Sequence, residues 1–326
     1  MTDHAPAPLR VLLAGAGAFG REHLLRLAAR ANVRIAGIAD PDASALAAMR
    51  QRHATARCFD DPMQMLAETP ADAIIVATPA ASHAGITLRA IEGGLGVLLE
   101  KPVTPDAAEA LRLAKVAAVA GVLVLPGHVL RFSRDHQRLA EIVASGAIGR
   151  VLYISSRRYR DEAHVARYGD IDPVLMTMIH DIDLAAWFAR SPFRQTRAWR
   201  SGMGGARALT SASAVTESGI ICNLRTAWTF TAGEFPPDRV EVVGETGSVE
   251  LDTGRGLVLH AQGRRTTIPL APGDDALANE QEHFFACLRD RSRSPAITLE
   301  DAAAGLRLAE AICESLREGR EVVLRT

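Results

Sequence analysis

Lysine is almost absent from this chain of 326 residues. It occurs only at Lys101 and Lys115, so arginine supplies the other 35 of the 37 basic residues (37 less 2). With 38 acidic residues the formal net charge is −1, and the chain lacks the basic excess typical of nucleic-acid-binding proteins. We therefore expect no nucleic-acid partner, and the rarity of lysine makes the position of Lys101 informative.

Cysteine is also scarce, and its spacing argues against two kinds of site. Four cysteines stand far apart without a C-x-x-C pair, at Cys58, Cys222, Cys287 and Cys313. This spacing favours free thiols in a reducing compartment over a disulfide framework or a zinc site. We predict no bound metal.

Long hydrophobic runs are missing. No apolar stretch approaches the length of about 20 residues that a membrane-spanning helix needs. Met1–Arg10 contains an acidic residue and prolines but no apolar core, which is unlike a secretory signal peptide. We expect a cytoplasmic protein with no membrane partner.

The chain instead has a composition and a length typical of two globular domains, with 48% hydrophobic and 23% charged residues. Up to Pro126-Gly127, short apolar runs alternate with helical stretches, which indicates βαβ units and a doubly wound parallel sheet. The predicted strands are Leu9–Ala14, Val33–Ala39, Ala73–Ala77, Leu95–Leu99 and Val122–Leu125. The fold class predicted for this part is an α/β Rossmann domain at residues 1–127.

The pattern changes after residue 127. We predict a strand at Val151–Arg158, a polar loop to Asp170, a long helix at Asp172–Arg190, and strands of one large, mainly antiparallel sheet between Gln195 and Pro269. Two helices then follow, at Asp274–Arg291 and Thr298–Glu318. Residues 128–326 are thus predicted to form an α+β domain for substrate binding and oligomerisation, whose C-terminal helices could pack back on the first domain.

A glycine-rich turn follows the first strand, with the sequence Gly15-Ala-Gly17-Ala18-Phe19-Gly20. The pattern G-x-G-x-x-G between a strand and a helix is typical of dinucleotide binding, because the glycines let the backbone approach a pyrophosphate at the helix N-terminus. We predict that these residues bind the cofactor. The alternative is an ordinary βα turn with incidental glycines.

Asp40 lies 20 residues beyond Gly20, at the end of the second strand. A carboxylate at about this distance accepts hydrogen bonds from the adenine ribose and repels a 2′-phosphate. We therefore predict NAD in preference to NADP. The alternative is that Asp40 caps the following helix.

Three further motifs follow in order along the chain. Ala77-Thr78-Pro79 with Ser82-His83 comes after one strand, Glu100-Lys101-Pro102 after the next, and His180-Asp181-Ile182-Asp183 lies on the long helix of the second domain. In these motifs, their order and their separations, the chain resembles the glucose–fructose oxidoreductase, inositol dehydrogenase and MocA family. The resemblance extends over nearly the whole chain.

The resemblance implies where the cofactor lies. Thr78, Pro79 and His83 would line its path, Glu100 and Lys101 would sit by the nicotinamide, and the bond before Pro102 would be cis. The positions of these residues in the sequence agree with this implication, because they follow predicted strands and ligands of open α/β sheets bind beyond the carboxyl ends of the strands. Lys101 is expected to be catalytic, against the alternative of a solvated surface charge.

The long helix carries the second catalytic candidate. On an α-helical spacing one face is shared by Met176, His180, Asp183 or Leu184, and Trp187. His180 is the expected acid or base, because imidazole titrates near neutral pH; the alternative is a hydrogen-bonded core histidine. Family dehydrogenases often have aspartate four residues before this histidine, whereas this chain has Met176. A methionine neither relays a proton nor forms a charge-assisted hydrogen bond.

Other polar residues are candidates for substrate contacts. His128 and Arg131 follow the last Rossmann strand and would either reach the substrate or form a structural hinge. Tyr159, together with Asp161, His164 and Tyr168, lies on the predicted polar loop. We assign His128, Arg131, Tyr159, Met176 and Asp183 to the substrate side, although Asp183 could instead pair with an arginine.

We predict an NAD-dependent oxidoreductase that transfers a hydride between nicotinamide and a carbinol carbon. The resemblance implies a sugar, polyol or related polyhydroxylated substrate and a homodimer or homotetramer. Two alternatives stay open: an NAD-dependent glycosidase of the same fold, and a cofactor-binding sensor that has lost catalysis.

Overall fold

The computed structural model describes residues 7–202, 208–231, 233 and 235–324. Most of Met1–Arg10, which is expected not to be a signal peptide, lies outside the described residues. The chain divides into two compact units. The first comprises Met1–His128 and Leu277–Ala303, and the second comprises Val129–Ala276 and Ala304–Thr326. The first unit thus includes Leu277–Ala303, which the sequence analysis assigned to residues 128–326 while allowing the C-terminal helices to pack back on the first domain.

The first unit contains a parallel sheet of six strands in the order β3-β2-β1-β4-β5-β6. These strands are β1 Leu9–Ala14, β2 Val33–Ala39, β3 Arg57–Phe59, β4 Ala73–Val76, β5 Gly96–Glu100 and β6 Val124–Gly127. All four residues of β4 are buried, as expected where helices cover both faces of a parallel sheet. The Rossmann sheet is confirmed, and the structure adds β3, which is too short to be recognised by periodicity.

Ten α-helices lie within the described residues. They are α1 Ala18–Ala28, α2 Ala43–Arg52, α3 Pro62–Glu68, α4 Ala80–Glu92, α5 Ala107–Ala120, α6 Arg134–Ala144, α7 Glu162–Tyr168, α8 Ile179–Ala189, α9 Ala276–Arg289 and α10 Leu299–Glu318. Side chains of Asp42, Asp61 and Asp106 cap α2, α3 and α5. None of the helices described is long and apolar enough to cross a membrane.

The second unit is built on a nine-stranded sheet in the order β14-β13-β12-β11-β7-β10-β9-β8-β15. Its strands are β7 Val151–Asp161, β8 Phe193–Arg200, β9 Thr210–Thr216, β10 Ile221–Phe230, β11 Arg239–Gly244, β12 Gly247–Asp252, β13 Gly256–Ala261, β14 Arg264–Ile268 and β15 Val322–Val323. Only β7 and β10 pair in parallel, and the other pairs described are antiparallel. The predicted mainly antiparallel sheet is confirmed.

Two predicted segments of the second unit have a different structure. β7 continues to Asp161 and is followed by α7, where a polar loop was predicted. The long helix contains a π-helical turn at Val174–Met178 before α8 begins. A π turn has i→i+5 hydrogen bonds, which depend on tertiary packing and leave no hydrophobic period to recognise.

Candidate functional site

The glycine turn in the first unit leaves space for a ligand. Gly15 has φ 91°, and a Cβ there would lie 2.5 Å from the carbonyl oxygen of Ala77. A Cβ on Gly20 would lie 1.9 Å from the Gly15 carbonyl oxygen, whereas one on Gly17 would meet nothing within 4 Å. Gly17 is also the N-cap of α1, and no side chain caps this helix within the described residues. The N–H groups that begin at Ala18 are thus suited to bind an anion.

Asp40 stands directly after β2 and faces the glycine turn. Its Oδ2 accepts a hydrogen bond from the Ala16 N–H at 2.6 Å, and Oδ1 accepts one from the Asp42 N–H at 2.8 Å. The cap of α2 is Asp42, which accepts from the Ser44 N–H at 2.8 Å. The structure therefore excludes Asp40 as the helix cap and places its carboxylate beside the turn.

His83 links two of the resemblance motifs. Its Nε2 lies 2.7 Å from the Thr78 carbonyl oxygen, and its Nδ1 lies 3.1 Å from the Pro102 carbonyl oxygen. Burial lowers the pKa of His83, although these carbonyls and Glu100 oppose the effect. His83 is buried, so it contributes by holding both turns together, while Thr78 is half-buried and Pro79 is exposed at the start of α4.

Glu100 and Lys101 lie at the carboxyl end of β5. Glu100 is buried, and its Oε2 accepts the Lys101 N–H at 3.1 Å. Its Oε1 lies 2.9 Å from His23 Nε2. The peptide bond between Lys101 and Pro102 is cis, as expected. Lys101 is half-buried.

These residues fit NAD. The glycine turn, Asp40, the Thr78 turn and Lys101 follow β1, β2, β4 and β5, which are consecutive neighbours in the parallel sheet. Their carboxyl ends meet at one edge, where open α/β sheets bind ligands. Phe19 on the first turn of α1 is 37% exposed and stands edge-on to the His23 ring, with 5.3 Å between ring centroids. The open Gly17 and the uncapped α1 are the features that a pyrophosphate requires.

The second unit holds His180 close to the N-terminus of α8, directly after the π turn. The Trp228 Nε1 donates to Thr177 Oγ1 at 2.9 Å and ties the π turn to β10. π turns are frequent at functional sites. The π turn at Val174–Met178 lies within the segment on which the common face of Met176, His180, Asp183 and Trp187 was predicted. That common face stays a prediction.

Buried arginines fix the rotation of α8. Asp181 accepts two hydrogen bonds from Arg158, both at 3.1 Å, and Arg158 also pairs with Asp238. Arg160 donates to Asp238 at 2.8 Å. Burial alone would raise the pKa of Asp238, but the two guanidinium groups lower it. Arg158 itself is only 3% exposed, which is unusual for an arginine and is possible because both of its partners are carboxylates.

Asp183 was expected either to contact the substrate or to pair with an arginine, and in the structure it forms an ion pair with Arg131. It accepts from Arg131 Nε at 3.0 and 3.1 Å and from Nη2 at 2.9 Å. The Arg131 guanidinium also lies 5.5 Å from the centroid of the Trp187 ring. Among the remaining substrate candidates, Tyr159 stacks on Phe230 with 5.4 Å between centroids.

His128 is buried in the first unit, directly after β6. Met176 lies within the π turn and is half-buried. Asp172, the nearest acidic residue before His180 in the sequence, is bound to Arg200 at 2.8 and 2.9 Å and to the Val174 N–H. Three buried residues near Glu100 were not among the predicted site residues, because none of them belongs to a recognised motif. They are His23 of α1 and Glu280 and Gln281 of α9.

Comparisons with known proteins agree with this geometry. Residues 9–128 match the family model described as an oxidoreductase family with an NAD-binding Rossmann fold, and residues 136–250 match the GFO/IDH/MocA C-terminal domain. Inositol 2-dehydrogenase 2 of Paenarthrobacter aurescens is 26% identical over 95% of this chain and 96% of its own length. Inositol 2-dehydrogenase 4 of Saccharopolyspora erythraea is 28% identical over 78% and 77%.

A solved structure with the same fold is scyllo-inositol dehydrogenase from Lactobacillus casei with NAD(H) and scyllo-inositol. Its TM-score is 0.85 at 18% identity, covering 98% of this chain and 100% of that one.

Proposed function

The chain belongs to the GFO/IDH/MocA family of NAD-binding oxidoreductases, and on that premise we propose that it oxidises a secondary alcohol of a sugar or polyol. The observation that carries the proposal is the position of Lys101. One of only two lysines in the chain, it follows β5 at the edge of the sheet where the glycine turn and Asp40 also lie. A lysine there provides a cation for an alcohol or carbonyl oxygen.

The substrate class is supported by the relatives. Two of them are named inositol 2-dehydrogenases, and a protein of the same fold was solved with scyllo-inositol. We take a cyclic polyol as the first candidate. The residues assigned to the substrate side also suit hydroxyl groups: the ion pair of Arg131 and Asp183, Tyr159 and His128 offer donors and acceptors, whereas Met176 offers an apolar contact.

The residues that would hold NAD are those at the edge of the first sheet. The N–H groups of α1 at Ala18 and Phe19 would bind the pyrophosphate, and Asp40 would accept hydrogen bonds from the adenine ribose. Thr78 and Pro79 would line the path to the nicotinamide, with their turn held by His83. When bound, NAD would supply the acceptor and donor of the hydride that is exchanged with the carbinol carbon.

Two side chains would carry the proton chemistry. Lys101 would donate a hydrogen bond to the reacting oxygen and stabilise the negative charge that develops on it. His180 would accept the hydroxyl proton during oxidation and return it during reduction. Met176 stands where the family resemblance implies an aspartate, so the side chain at position 176 would take no part in the proton transfer.

A panel of sugars and cyclic polyols with NAD, followed by absorbance of the reduced cofactor, tests the proposal. Lys101→Ala should lower kcat while leaving NAD affinity nearly unchanged, and His180→Ala should lower kcat by about 10²- to 10⁴-fold. Lys115→Ala, which removes the exposed lysine of α5, is the matched control and should behave like the wild type.

Three results would contradict the proposal. Equal turnover in the wild type and all three variants would show that neither Lys101 nor His180 takes part in the reaction. Glycoside hydrolysis without net NADH would favour the glycosidase. NAD binding without turnover on any substrate of the panel would remove the proposed substrate class.

A further inference from the structure

A buried cluster lies behind Glu100 in the first unit. His23 of α1, Glu100 of β5 and Glu280 of α9 each place one side-chain nitrogen or oxygen so that the three atoms lie within 4.8 Å of one another. All three residues are buried, and Glu280 is 0% exposed. The cluster touches the motif of Lys101, yet the proposed reaction makes no use of Glu280.

The proton on His23 can be located from its neighbours. Gln281 Nε2 donates to the His23 carbonyl oxygen at 3.1 Å and also lies 3.1 Å from His23 Nδ1. An amide nitrogen has only donors to offer, so Nδ1 accepts and the ring proton resides on Nε2. That Nε2–H donates to Glu100 Oε1 at 2.9 Å. Glu100, which accepts on its other oxygen from the Lys101 N–H, is therefore the ionised carboxylate of the cluster.

Glu280 is in a different situation. Neither of its carboxyl oxygens has a hydrogen-bond partner in the part of the chain that the structure describes. A second buried carboxylate here would lack solvation and would be repelled by Glu100. Burial, followed by the charge of Glu100, raises the pKa of Glu280 well above its ordinary value.

We propose that Glu280 is held as a neutral carboxylic acid whose hydroxyl donates towards Glu100. It is then a positioning residue for Glu100 and, through Glu100, for the NAD-binding residues at the edge of the first sheet. The hydrogen bond runs to Glu100 directly after a small rotation of the side chain, or through one buried water, since the gap of up to 4.8 Å fits either. Together with His23, it fixes the carboxylate that receives the Lys101 N–H. The pair then carries one negative charge instead of two.

The surrounding charges are consistent with this assignment. His23 faces Glu280 from α1, and Glu100 faces it from β5. On α9 itself, Glu282 is largely exposed and pairs with Arg30, which follows the end of α1. A divalent cation in the cluster would need the lone pair of His23 Nε2, but that nitrogen carries the proton. The donor set therefore favours a proton over a metal ion.

Infrared spectroscopy of the protein without cofactor tests the proton directly. At neutral pH the carbonyl stretching band of a protonated carboxylic acid should be present in the wild type and in Glu282→Gln, and lost in Glu280→Gln. Glu282→Gln is the matched control, because it removes a carboxylate from the exposed side of the same helix. A spectrum that Glu280→Gln leaves unchanged would overturn the proposal, as would one divalent metal ion per chain in elemental analysis of the purified protein.

Stability against pH provides a second measurement. In the unfolded chain Glu280 loses its proton above an ordinary pKa of 4.5, whereas the folded protein keeps it. Wild-type stability should therefore fall, relative to Glu280→Gln, as pH rises above that value. The ratio of the two folding constants should change by up to about tenfold per pH unit until Glu280 ionises in the folded protein. Parallel stability curves would contradict the assignment.

The positioning role of Glu280 rests on the proposed function, whereas the assignment of a proton to Glu280 does not. Glu280→Leu removes the donor and should lower kcat/KM by about tenfold or more and weaken NAD binding. Glu280→Gln, whose amide still donates to Glu100, should restore both. Equal losses in the two variants would overturn the positioning role. If no polyol is oxidised by the wild type, the proposed function fails, while the infrared band and NAD titration still decide the role of Glu280.

Discussion

Asp40 shows how one residue serves both the local fold and the choice of cofactor. Its carboxylate accepts from the Ala16 N–H of the glycine turn and from the Asp42 N–H. An alanine here would loosen the turn as well as remove the charge, which would confuse the two effects. Asparagine keeps an acceptor oxygen and removes only the charge.

We therefore expect Asp40→Asn to narrow the preference for NAD over NADP by about tenfold or more, because a 2′-phosphate would no longer meet a like charge. Titration of both cofactors against the wild type and the variant measures this ratio. Asp42→Asn, which alters the cap of α2, is the matched control and should leave the ratio unchanged. Tighter binding of NADP to the wild type would refute the assignment.

Met176 stands at the position where the family resemblance implies an aspartate. Met176→Asp restores a carboxylate near His180 and should raise the pKa of the imidazole, because a negative charge favours the protonated ring. We expect turnover to be kept or increased and the pH optimum of kcat to move upward. If Met176 instead packs against an apolar face of substrate or cofactor, the new carboxylate would be poorly solvated and turnover would drop without a shift in pH.

At the scale of elements, the packing of α6 against the second sheet depends on a neutral histidine. His136 of α6 is 3% exposed, and its Nδ1 bonds to Ser133 Oγ at 3.0 Å. Burial, and then the charge of Arg158, lowers the pKa of His136 to about 3, against a smaller opposing effect of Asp238. The ordinary value is 6.5.

The unfolded chain thus binds a proton at His136 as pH falls below 6.5, while the folded protein takes it up only near pH 3. Stability from this residue is complete above 6.5 and declines towards 3. In His136→Asn, which keeps a donor for Ser133, the decline should be shallower by up to about 1.4 kcal/mol per pH unit. Denaturant unfolding of both proteins between pH 7 and 5 measures the difference, and parallel curves would show that His136 does not titrate on unfolding.

At the scale of the whole molecule, the nine-stranded sheet presents one face to its core and another to its surroundings. Strand register places Trp199, Val215, Ile221 and Tyr153 on a common face. Trp199 is 52% exposed and Ile221 is 47% exposed, whereas Leu224 on the opposite face is 0% exposed. Exposed apolar residues that gather on one sheet face are typical of an interface.

We therefore expect a homodimer or homotetramer that buries this face. Light scattering at micromolar concentration should give a multiple of the chain mass for the wild type and a lower mass for Trp199→Glu combined with Ile221→Glu. Val119→Glu changes a valine of α5 that is 91% exposed and should leave the mass unchanged. A wild-type monomer at this concentration would contradict the expectation.

The sequence by itself determined the Rossmann sheet, the mainly antiparallel second sheet and the edge at which Gly17, Asp40 and Lys101 meet. Apolar periodicity and turn residues are local signals, and the carboxyl ends of neighbouring parallel strands must share one edge. The order of the sheet then brings together residues that are far apart in the chain.

Only the tertiary structure decided which partners the buried charges have. An arginine is usually exposed, but Arg158 is buried beside Asp181 and Asp238, which lie far away from it in sequence. The π turn before His180 left no signal in the sequence. The grouping of Leu277–Ala303, with Glu280, in the first unit was only one of the possibilities that the sequence left open. Such contacts are set by long-range packing. A charged side chain is buried only where other groups replace its hydration, and the sequence does not show which groups these are.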